Sequence, residues 1–338
     1  MEIIGSLHRS DIVVSVFCIT YNQEKYIRET IDGILSQKAE FNFEILIHDD
    51  ASTDKTRQIV KEYAEKNPER ITAILQSENQ FSKGVSPFRD ILPKYAHGKY
   101  IAVCEGDDYW IDQMKLQMQY EAMEKNLDCS ISVHTVQGKS ENLQKDLRKY
   151  PRVAMNQGVI EADEVMYWML ERAEWLFQTS SYFVRSAIMD EIYFQKPESI
   201  STNPYGDEAF LRFCASKGNF CFIDRVMSVY RMGAEGSTVD RTRKSKYKKG
   251  FYTKKIESLK LFNKESNFKF DLLVRNNIKR WEFVLCREEK NFKKMLSKEM
   301  SCFFAELPFH VKAYVLISSK IPVFDSFYYW LRKKIKGY

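Results

Sequence analysis

The sequence lacks the motifs that identify several large classes of enzyme. No Gly-x-Gly-x-x-Gly follows the first predicted strand, and no Gly-x-x-x-x-Gly-Lys-Ser/Thr occurs, which argues against a dinucleotide-binding fold and a P-loop NTPase. No Gly-x-Ser-x-Gly suggests a hydrolase nucleophile. The 5 histidines show no metal-ligand spacing and no Cys-x-x-Cys is present, so neither a zinc site nor a disulfide framework is predicted.

Long apolar runs are also missing. None reaches the ~18–20 residues of a membrane span, and the longest, 313–318, is far shorter. The N-terminus has no basic cap leading into an apolar core, so a secretory signal is not expected. The 7 widely spaced cysteines fit buried, reduced thiols. We therefore expect a cytoplasmic protein.

The 338 residues comprise 44% hydrophobic and 29% charged side chains, which excludes a disordered, collagen-like or polytopic membrane protein and allows about two domains. The net charge of +6 is unevenly distributed. From Asp240 onward there are 25 basic and 10 acidic residues, whereas the first 239 residues hold 27 basic and 36 acidic ones. The chain thus divides into two regions of opposite charge.

Short β-branched runs alternate with amphipathic helical patterns through the first half of the chain. This alternation predicts an α/β fold with a mostly parallel sheet covered by helices on both faces. We interpret 139–157 as a loop, 220–223 and 226–230 as two short strands, 233–237 as a turn, and 239–338 as helical. Ligands of such sheets bind beyond the carboxyl ends of the strands.

Acidic pairs follow two of these strands and open one later helix: Asp49-Asp50, Asp107-Asp108 and Asp207-Glu208. Aspartate in such a position is often only a helix cap or turn former. Three pairs at the ends of one predicted sheet instead favour a site, because hard oxygen ligands suit Mg²⁺ or Mn²⁺ whose other ligands are substrate phosphates and water.

Three sequence blocks in fixed order carry a family resemblance: VVSVFCITYN at 13–22, FEILIHDDASTD at 43–54 and GKYIAVCEGDDYW at 98–110. Together they resemble family 2 glycosyltransferases of the GT-A fold, in the form found in bacterial polysaccharide assembly. The resemblance covers about residues 11–235. It implies a Rossmann-like GT-A domain, assigned to 11–238, followed by a basic helical region at 239–338.

The resemblance also implies a site for a nucleotide sugar. Thr20, Tyr21 and Asn22 would pack around the nucleotide, Asp50 would accept a hydrogen bond from the base, as suits uracil, and Arg89 would lie near the nucleotide.

The third block and the later acidic pair would carry the chemistry. Asp107 would lie near the ribose and Asp108 would ligate Mn²⁺ or Mg²⁺, which stabilises the leaving diphosphate. Asp207 would take the proton of the acceptor hydroxyl, with Glu208 in reserve, and in-line attack would invert the anomeric centre. Relatives often have Tyr-Arg-x-His after the last strand. Here the histidine is missing, and Arg231 could neutralise phosphate or form a surface salt bridge.

The basic C-terminal third suggests a second kind of contact. Residues 241–249 hold six cations in nine positions, and 321–336 combines aromatic side chains with a basic end, the profile of an interfacial membrane helix. Packing on the catalytic domain is the alternative. No nucleic-acid-binding motif accompanies the charge, so no nucleic acid partner is expected.

We therefore interpret the chain as a metal-dependent inverting glycosyltransferase that moves a sugar from a nucleoside-diphosphate sugar to a saccharide or lipid-linked acceptor. A UDP-linked donor is expected because Asp50 favours uridine. Two alternatives stay open. One is a non-catalytic membrane- or saccharide-binding module on the same fold, against which the intact acidic residues argue. The other is a nucleotidyltransferase, which the missing glycine-rich loop disfavours.

Overall fold

The computed structural model of the chain describes residues 1–6, 10–140, 145–234 and 248–321. Strands and helices alternate through its first half: β1 (Glu2–Ile4), β2 (Ile12–Thr20), α1 (Ile27–Leu35), β3 (Asn42–Asp49), α2 (Thr56–Lys66), β4 (Ile71–Leu75) and β5 (Tyr100–Val103). Between β4 and β5 lie two short 3₁₀-helices and a π-helix: Phe81–Lys83, Leu92–Tyr95 and Pro87–Ile91. The predicted alternation is confirmed.

The middle of the chain adds more strands and shorter helices: β6 (Tyr109–Trp110), α3 (Lys115–Lys125), β7 (Cys129–Ser140), β8 (Lys145–Tyr150), β9 (Gly158–Ile160), α4 (Ala162–Met166), β10 (Phe183–Arg185), α5 (Ser186–Gln195), α6 (Glu198–Thr202), α7 (Gly206–Lys217) and β11 (Asn219–Met232). A π-helix at Tyr167–Glu171 and a 3₁₀-helix at Thr179–Ser181 separate α4 from β10.

The central strands are buried on both faces, which explains their continuous apolar sequences. Successive side chains of a strand point to opposite faces. Phe17 and Leu46 accordingly belong to one hydrophobic core, and Val16, Cys18 and Ile45 to the other. Helices therefore cover both sides of the sheet, as predicted.

The described strands form one sheet in the order β1-β4-β3-β2-β5-β10-β7-β11-β6, with β8 beside β7 and β9 beside β11. Strands β4, β3, β2 and β5 are parallel. Strand β10 is antiparallel to both β5 and β7, whereas β7 and β11 are parallel. The α/β class is thus confirmed, but the second half of the sheet is mixed rather than mostly parallel.

Two local predictions were wrong. Within the predicted loop 139–157, Lys145–Tyr150 forms β8, antiparallel to β7. Its charged, largely exposed sequence has no apolar alternation to reveal it. The two short strands predicted at 220–230 are one strand, β11, whose register shifts between Ile223 and Val226. The polar pair Asp224-Arg225 stands at that irregularity.

The described residues after β11 form five α-helices: α8 (Lys248–Glu265), α9 (Asp271–Glu288), α10 (Phe292–Met295), α11 (Ser301–Ala305) and α12 (Phe309–Lys320), with a 3₁₀-helix at Lys298–Met300. The predicted helical character is confirmed for the described part of this region, 248–320. Leu259, Phe262 and Val274 join the same core as Phe210 of α7. Residues 292–315 add a separate small cluster against the end of α9.

The predicted domain boundary at 238/239, positions 241–247 of the basic run and the segment 322–338 lie outside the described residues. The boundary therefore remains a prediction. Among the described helices, none combines the length and apolarity needed to cross a bilayer.

Candidate active site

The acidic segments that follow β3 and β5 lie at the same edge of the sheet. Strands β3, β2 and β5 are neighbours and parallel, and Thr20 at the end of β2 pairs with Asp49 at the end of β3. The carboxyl ends of adjacent parallel strands form the usual ligand-binding edge of such sheets. This edge carries the residues predicted to bind a nucleotide.

Hydrogen bonds join the turn after β2 to the loop after β3. Asn22 has a positive φ of 53°. Its backbone N–H donates to Ser52 Oγ at 2.9 Å, and its Oδ1 accepts from the backbone N–H of Thr53 at 2.8 Å. The hydroxyl of Thr20 donates to Gln23 Oε1 at 2.8 Å. The turn that contains Thr20, Tyr21 and Asn22 is therefore held against the loop after β3 by hydrogen bonds. The contact of these three residues with a nucleotide remains a prediction.

Asp50 is almost fully buried and organises the neighbouring loop. Its Oδ1 accepts the backbone N–H of Gln80 at 2.7 Å, and its Oδ2 accepts that of Phe81 at 3.0 Å. A carboxylate oxygen has two lone pairs, so each retains acceptor capacity. The predicted hydrogen bond to a base is compatible with this arrangement.

Arg89 lies in the π-helix after Pro87 and pairs with the adjacent Asp90. Its Nε and Nη2 donate to the two carboxylate oxygens at 2.9 and 2.7 Å. Asp90 also accepts the backbone N–H of Ser86 at 2.8 Å. A nucleotide near Arg89 would have to share the guanidinium with Asp90.

The turn after β5 packs tightly against the turn after β2. The backbone N–H of Gly106 donates to Ile19 O at 2.9 Å. A Cβ at Gly106 would lie 2.4 Å from Gln23 Oε1 and 2.8 Å from Thr20 Oγ1, so only glycine fits. The Thr30 hydroxyl donates to Asp108 O at 2.6 Å from the other side. The positions of Asp107 and Asp108 are thereby fixed.

Asp108 is 1% exposed, and only one of its two carboxylate oxygens has a hydrogen-bond partner among the described residues. Oδ1 accepts the backbone N–H of Arg231 at 3.1 Å, while Oδ2 has no hydrogen-bond partner in the part of the chain that the structure describes. Burial, together with Asp107 and Glu105, raises the pKa of Asp108 well above its ordinary value. Burying a carboxylate oxygen that has no hydrogen-bond partner costs free energy unless a cation or a hydrogen-bond donor approaches it.

The unpartnered oxygen of Asp108 is therefore of the type that can coordinate a divalent cation. No group of three or more His, Cys, Asp or Glu side chains within the described ranges is arranged to hold a metal ion. Mg²⁺ and Mn²⁺ commonly use one or two carboxylates and take their other ligands from substrate phosphates and water. The role of Asp108 as a metal ligand remains a prediction.

Glu105 is a site residue that the sequence prediction missed. Burial, then Asp107, then Asp207 raise the pKa of Glu105 to about 8, against a hydrogen bond from Thr179 that lowers it. The pKa of Glu105 is therefore affected both by the acidic pair after β5 and by the acidic pair that begins α7. Its place in Glu-Gly-Asp-Asp was the available signal, but no spacing rule singled it out.

Asp207 lies in the first turn of α7, where its Oδ1 accepts the backbone N–H of Glu208 at 2.9 Å. Burial raises the pKa of Asp207 to about 6, and the charge of Glu208 adds to the rise, while Lys255 lowers it. A carboxylate with this pKa is mostly ionised at neutral pH and is a stronger base than an ordinary aspartate.

Glu208 is engaged by two cations. Its Oε1 lies 2.7 Å from Arg212 Nη1, and its Oε2 lies 2.6 Å from Lys255 Nζ. Burial opposes ionisation of Glu208, but Lys255 and Arg212 outweigh it and hold its pKa below the usual range. This arrangement favours Asp207 over Glu208 as the base.

The side chain of Arg231 is buried, whereas the acid with which it forms a salt bridge, Glu29, is exposed. A contact of Arg231 with phosphate remains a prediction. The guanidinium lies over the rings of Tyr109 and Tyr26, 4.3 and 5.0 Å from their centroids. Its Nη1 donates to Asp107 O at 2.6 Å, and its Nη2 pairs with Glu29. Arg231 thus holds the Asp107-Asp108 turn from the β11 side.

The fold is that of the GT-A class. Residues 1–349 of S. aureus TarS match with a TM-score of 0.57 at 17% identity, over 91% of this chain and 80% of that one. The same fragment in complex with UDP-GlcNAc matches with a TM-score of 0.57 at 16% identity, over 91% and 88% of the two chains.

The family is shown by sequence. Residues 15–189, just over half of the chain, match the model for Glycosyl transferase family 2. The chain belongs to glycosyl transferase family 2, which confirms the resemblance stated above.

Relatives are similar over different lengths. Uncharacterized protein Rv1520 of Mycobacterium tuberculosis is 34% identical over 227 residues, 66% of this chain and 60% of that protein. The chain thus spans 60% of the length of this relative. WfgD of Escherichia coli, named UDP-Glc:alpha-D-GlcNAc-diphosphoundecaprenol beta-1,3-glucosyltransferase, is 37% identical over 116 residues, 34% of this chain and 43% of that enzyme.

Proposed function

We propose that the chain is a metal-dependent, inverting glycosyltransferase. It would move a sugar from a nucleoside-diphosphate sugar, with UDP as the expected nucleotide, to a hydroxyl of a saccharide or lipid-linked acceptor in cell-surface polysaccharide synthesis. The observation that carries this proposal is the buried Asp108 carboxylate, one oxygen of which has no hydrogen-bond partner among the described residues.

On the donor side, the cross-linked loops after β2 and β3 would hold the nucleoside, with Asp50 facing the base and Asp107 the ribose. Asp108 would hold Mn²⁺ or Mg²⁺, and a cation bound there supplies Lewis-acid stabilisation of the leaving diphosphate. The name of WfgD gives that relative a UDP-linked donor and a lipid-diphosphate acceptor, which supports both substrate classes for this chain.

On the acceptor side, Asp207 would accept the proton of the attacking hydroxyl. Its burial and its pKa of about 6 suit a base that is ionised at neutral pH yet binds a proton readily. Attack by that hydroxyl along the line of the breaking bond inverts the anomeric centre. Glu208, held by two cations, would fix the first turn of α7.

Peripheral contact with the inner face of the membrane is part of the proposal. Helix α12 exposes Phe309 at 85%, with Leu316 and Ile317 also exposed, and the basic segment of the sequence follows it. Apolar side chains beside cations suit an anionic bilayer surface. Flotation with anionic phospholipid vesicles should weaken in Phe309→Ser, but not in Leu272→Ser, an exposed apolar control in α9. Equal flotation of both variants would refute this contact.

The central test is a panel of nucleotide sugars, assayed for binding and for release of the nucleoside diphosphate. We expect one donor to be turned over with Mn²⁺ or Mg²⁺ and not with a chelator, and Asp108→Asn to abolish the metal dependence. Binding without turnover would direct the search to lipid-linked acceptors. Failure to bind any nucleotide sugar in the presence of metal would overturn the proposed function.

A further inference from the structure

Helix α8 contributes to the segment that carries Asp207, although it comes from the C-terminal region. Ser258 of α8 donates its hydroxyl to Ser199 O at 2.6 Å, and it accepts from Asn203 Nδ2 at 3.1 Å and from Arg212 Nη2 at 2.9 Å. One buried serine thus binds α6, the loop before α7 and α7 itself. The approach to Asp207 is built against the C-terminal helices.

A buried group of charges lies one turn from this serine. Lys255 is 6% exposed and Arg212 is fully buried, and both pair with Glu208 at the distances given above. The Lys255 ammonium lies 4.3 Å from the ring centroid of Trp281 on α9, which shields it from water. Buried ion pairs are weak contributors to stability because desolvation offsets their attraction. A role in placing a neighbouring group is therefore a better account of this one.

The neighbouring group is Asp207. Glu208 is the next residue, and its backbone N–H donates to Asp207 Oδ1 at 2.9 Å, so fixing Glu208 fixes the first turn and the Asp207 carboxylate. The same two residues also affect the protonation of Asp207, because the charge of Lys255 lowers its pKa and that of Glu208 raises it. Beyond the effect of burial, the charge of Asp207 in turn raises the pKa of Glu105, Tyr182 and Tyr205, the other titratable groups near it.

We infer that Lys255 is a positioning residue for the transfer reaction, holding Asp207 in place through Glu208 and making the C-terminal helices part of the active site. This inference rests on the proposed function. It assigns the basic C-terminal region a role in catalysis that is separate from any membrane contact.

The test compares Lys255→Met with Lys255→Arg and with Lys254→Met, an exposed lysine on the same helix. In Lys255→Met we expect kcat to fall roughly 10-fold or more through misplacement of the base, with the donor KM unchanged. The acid limb of kcat/KM should move to higher pH, because a positive charge that lowers the Asp207 pKa is lost. Lys255→Arg should restore the limb, and Lys254→Met should match the parent chain.

A merely structural role would give a different result. If kcat falls only in proportion to the folded fraction in thermal melts, with the acid limb unmoved, the inference is wrong. Adding Glu208→Gln to Lys255→Met gives a second variant without the unpaired carboxylate, and its acid limb should also differ from that of the parent.

Carbon NMR titration of the Asp207 carboxyl gives a readout that needs no turnover. Its midpoint should rise in Lys255→Met and return in Lys255→Arg. A parent chain that turns over no donor, with this titration shifted as expected, would count against the proposed function alone. An unshifted titration would overturn the Lys255 inference.

Discussion

The acidic pair after β5 and the acidic pair that begins α7 differ in the partners of their buried carboxylate oxygens. Asp108 receives one backbone N–H and leaves its second oxygen without a partner among the described residues. Glu208 has a cation on each oxygen, so its charge is neutralised by the protein itself. In the proposed function a bound cation completes the first group, whereas the second is already paired within the protein. The proposal therefore makes the donor side depend on an added cation and the base side on the C-terminal helices.

Asp108→Asn gives the largest expected change. It should lower kcat roughly 10⁴-fold, because several kcal/mol of transition-state stabilisation depend on the cation at this position. The melting temperature of the metal-free protein should not fall, since an asparagine oxygen can still accept the Arg231 N–H. Kinetics with saturating metal and calorimetry with chelator measure the two effects. A large loss of stability would show that Asp108 is structural, and the contrast with Glu208 would fail.

Asp207→Asn should have the next largest effect. Loss of a general base costs roughly 10³-fold in kcat, while donor binding, measured by calorimetry, should stay the same. In the parent chain the pKa of Asp207 is raised to about 6, so activity is retained above that pH and lost as the pH falls through it. The variant should lose this acid limb. A limb that persists in Asp207→Asn would assign the titration to another group.

The effect of Glu208→Gln on the free energy of unfolding tests the ion pairs that hold Glu208. The substitution leaves two buried cations without their carboxylate, and breaking such a pair costs about 3 kcal/mol or more. Asp271→Asn is the matched control, because Asp271 and Arg275 form an exposed i,i+4 pair on α9. Exposed pairs contribute about 1 kcal/mol or less. Denaturant unfolding of both variants provides the comparison, and similar losses would remove the distinction between the two acidic groups.

Sequence patterns predicted the strands of the proposed donor edge because the determinants of those strands are local. Buried strands such as Ile12–Thr20 and Asn42–Asp49 read as apolar runs, and the acids follow them directly in sequence. Strand β8 was missed because its exposed, charged side chains carry no periodic apolar signal. Such a strand is defined by its pairing with β7, which the local sequence does not encode.

Long-range contacts at the base could not be predicted. Lys255 meets Glu208 across 47 positions of sequence, and no spacing rule selects one lysine among the many of the C-terminal third. The same holds for Arg231, whose guanidinium reaches Asp107 O from 124 positions away. The sequence identified the acids, but the three-dimensional structure was needed to find the cations that hold them.

The shared hydrophobic core has a consequence for how the chain matures during synthesis. Leu259, Phe262 and Val274 fill the same core as Phe210 of α7, so a nascent chain that ends before α8 leaves that core open to water. Domains tend to fold as units while the ribosome is still adding residues. The loops after β2, β3 and β5 are translated before α8 and α9, whereas the helix that carries Asp207 acquires this part of its core only after α8 and α9 have emerged. A product truncated before α8 would therefore contain the loops that we propose for donor binding, but α7 would lack part of its packing.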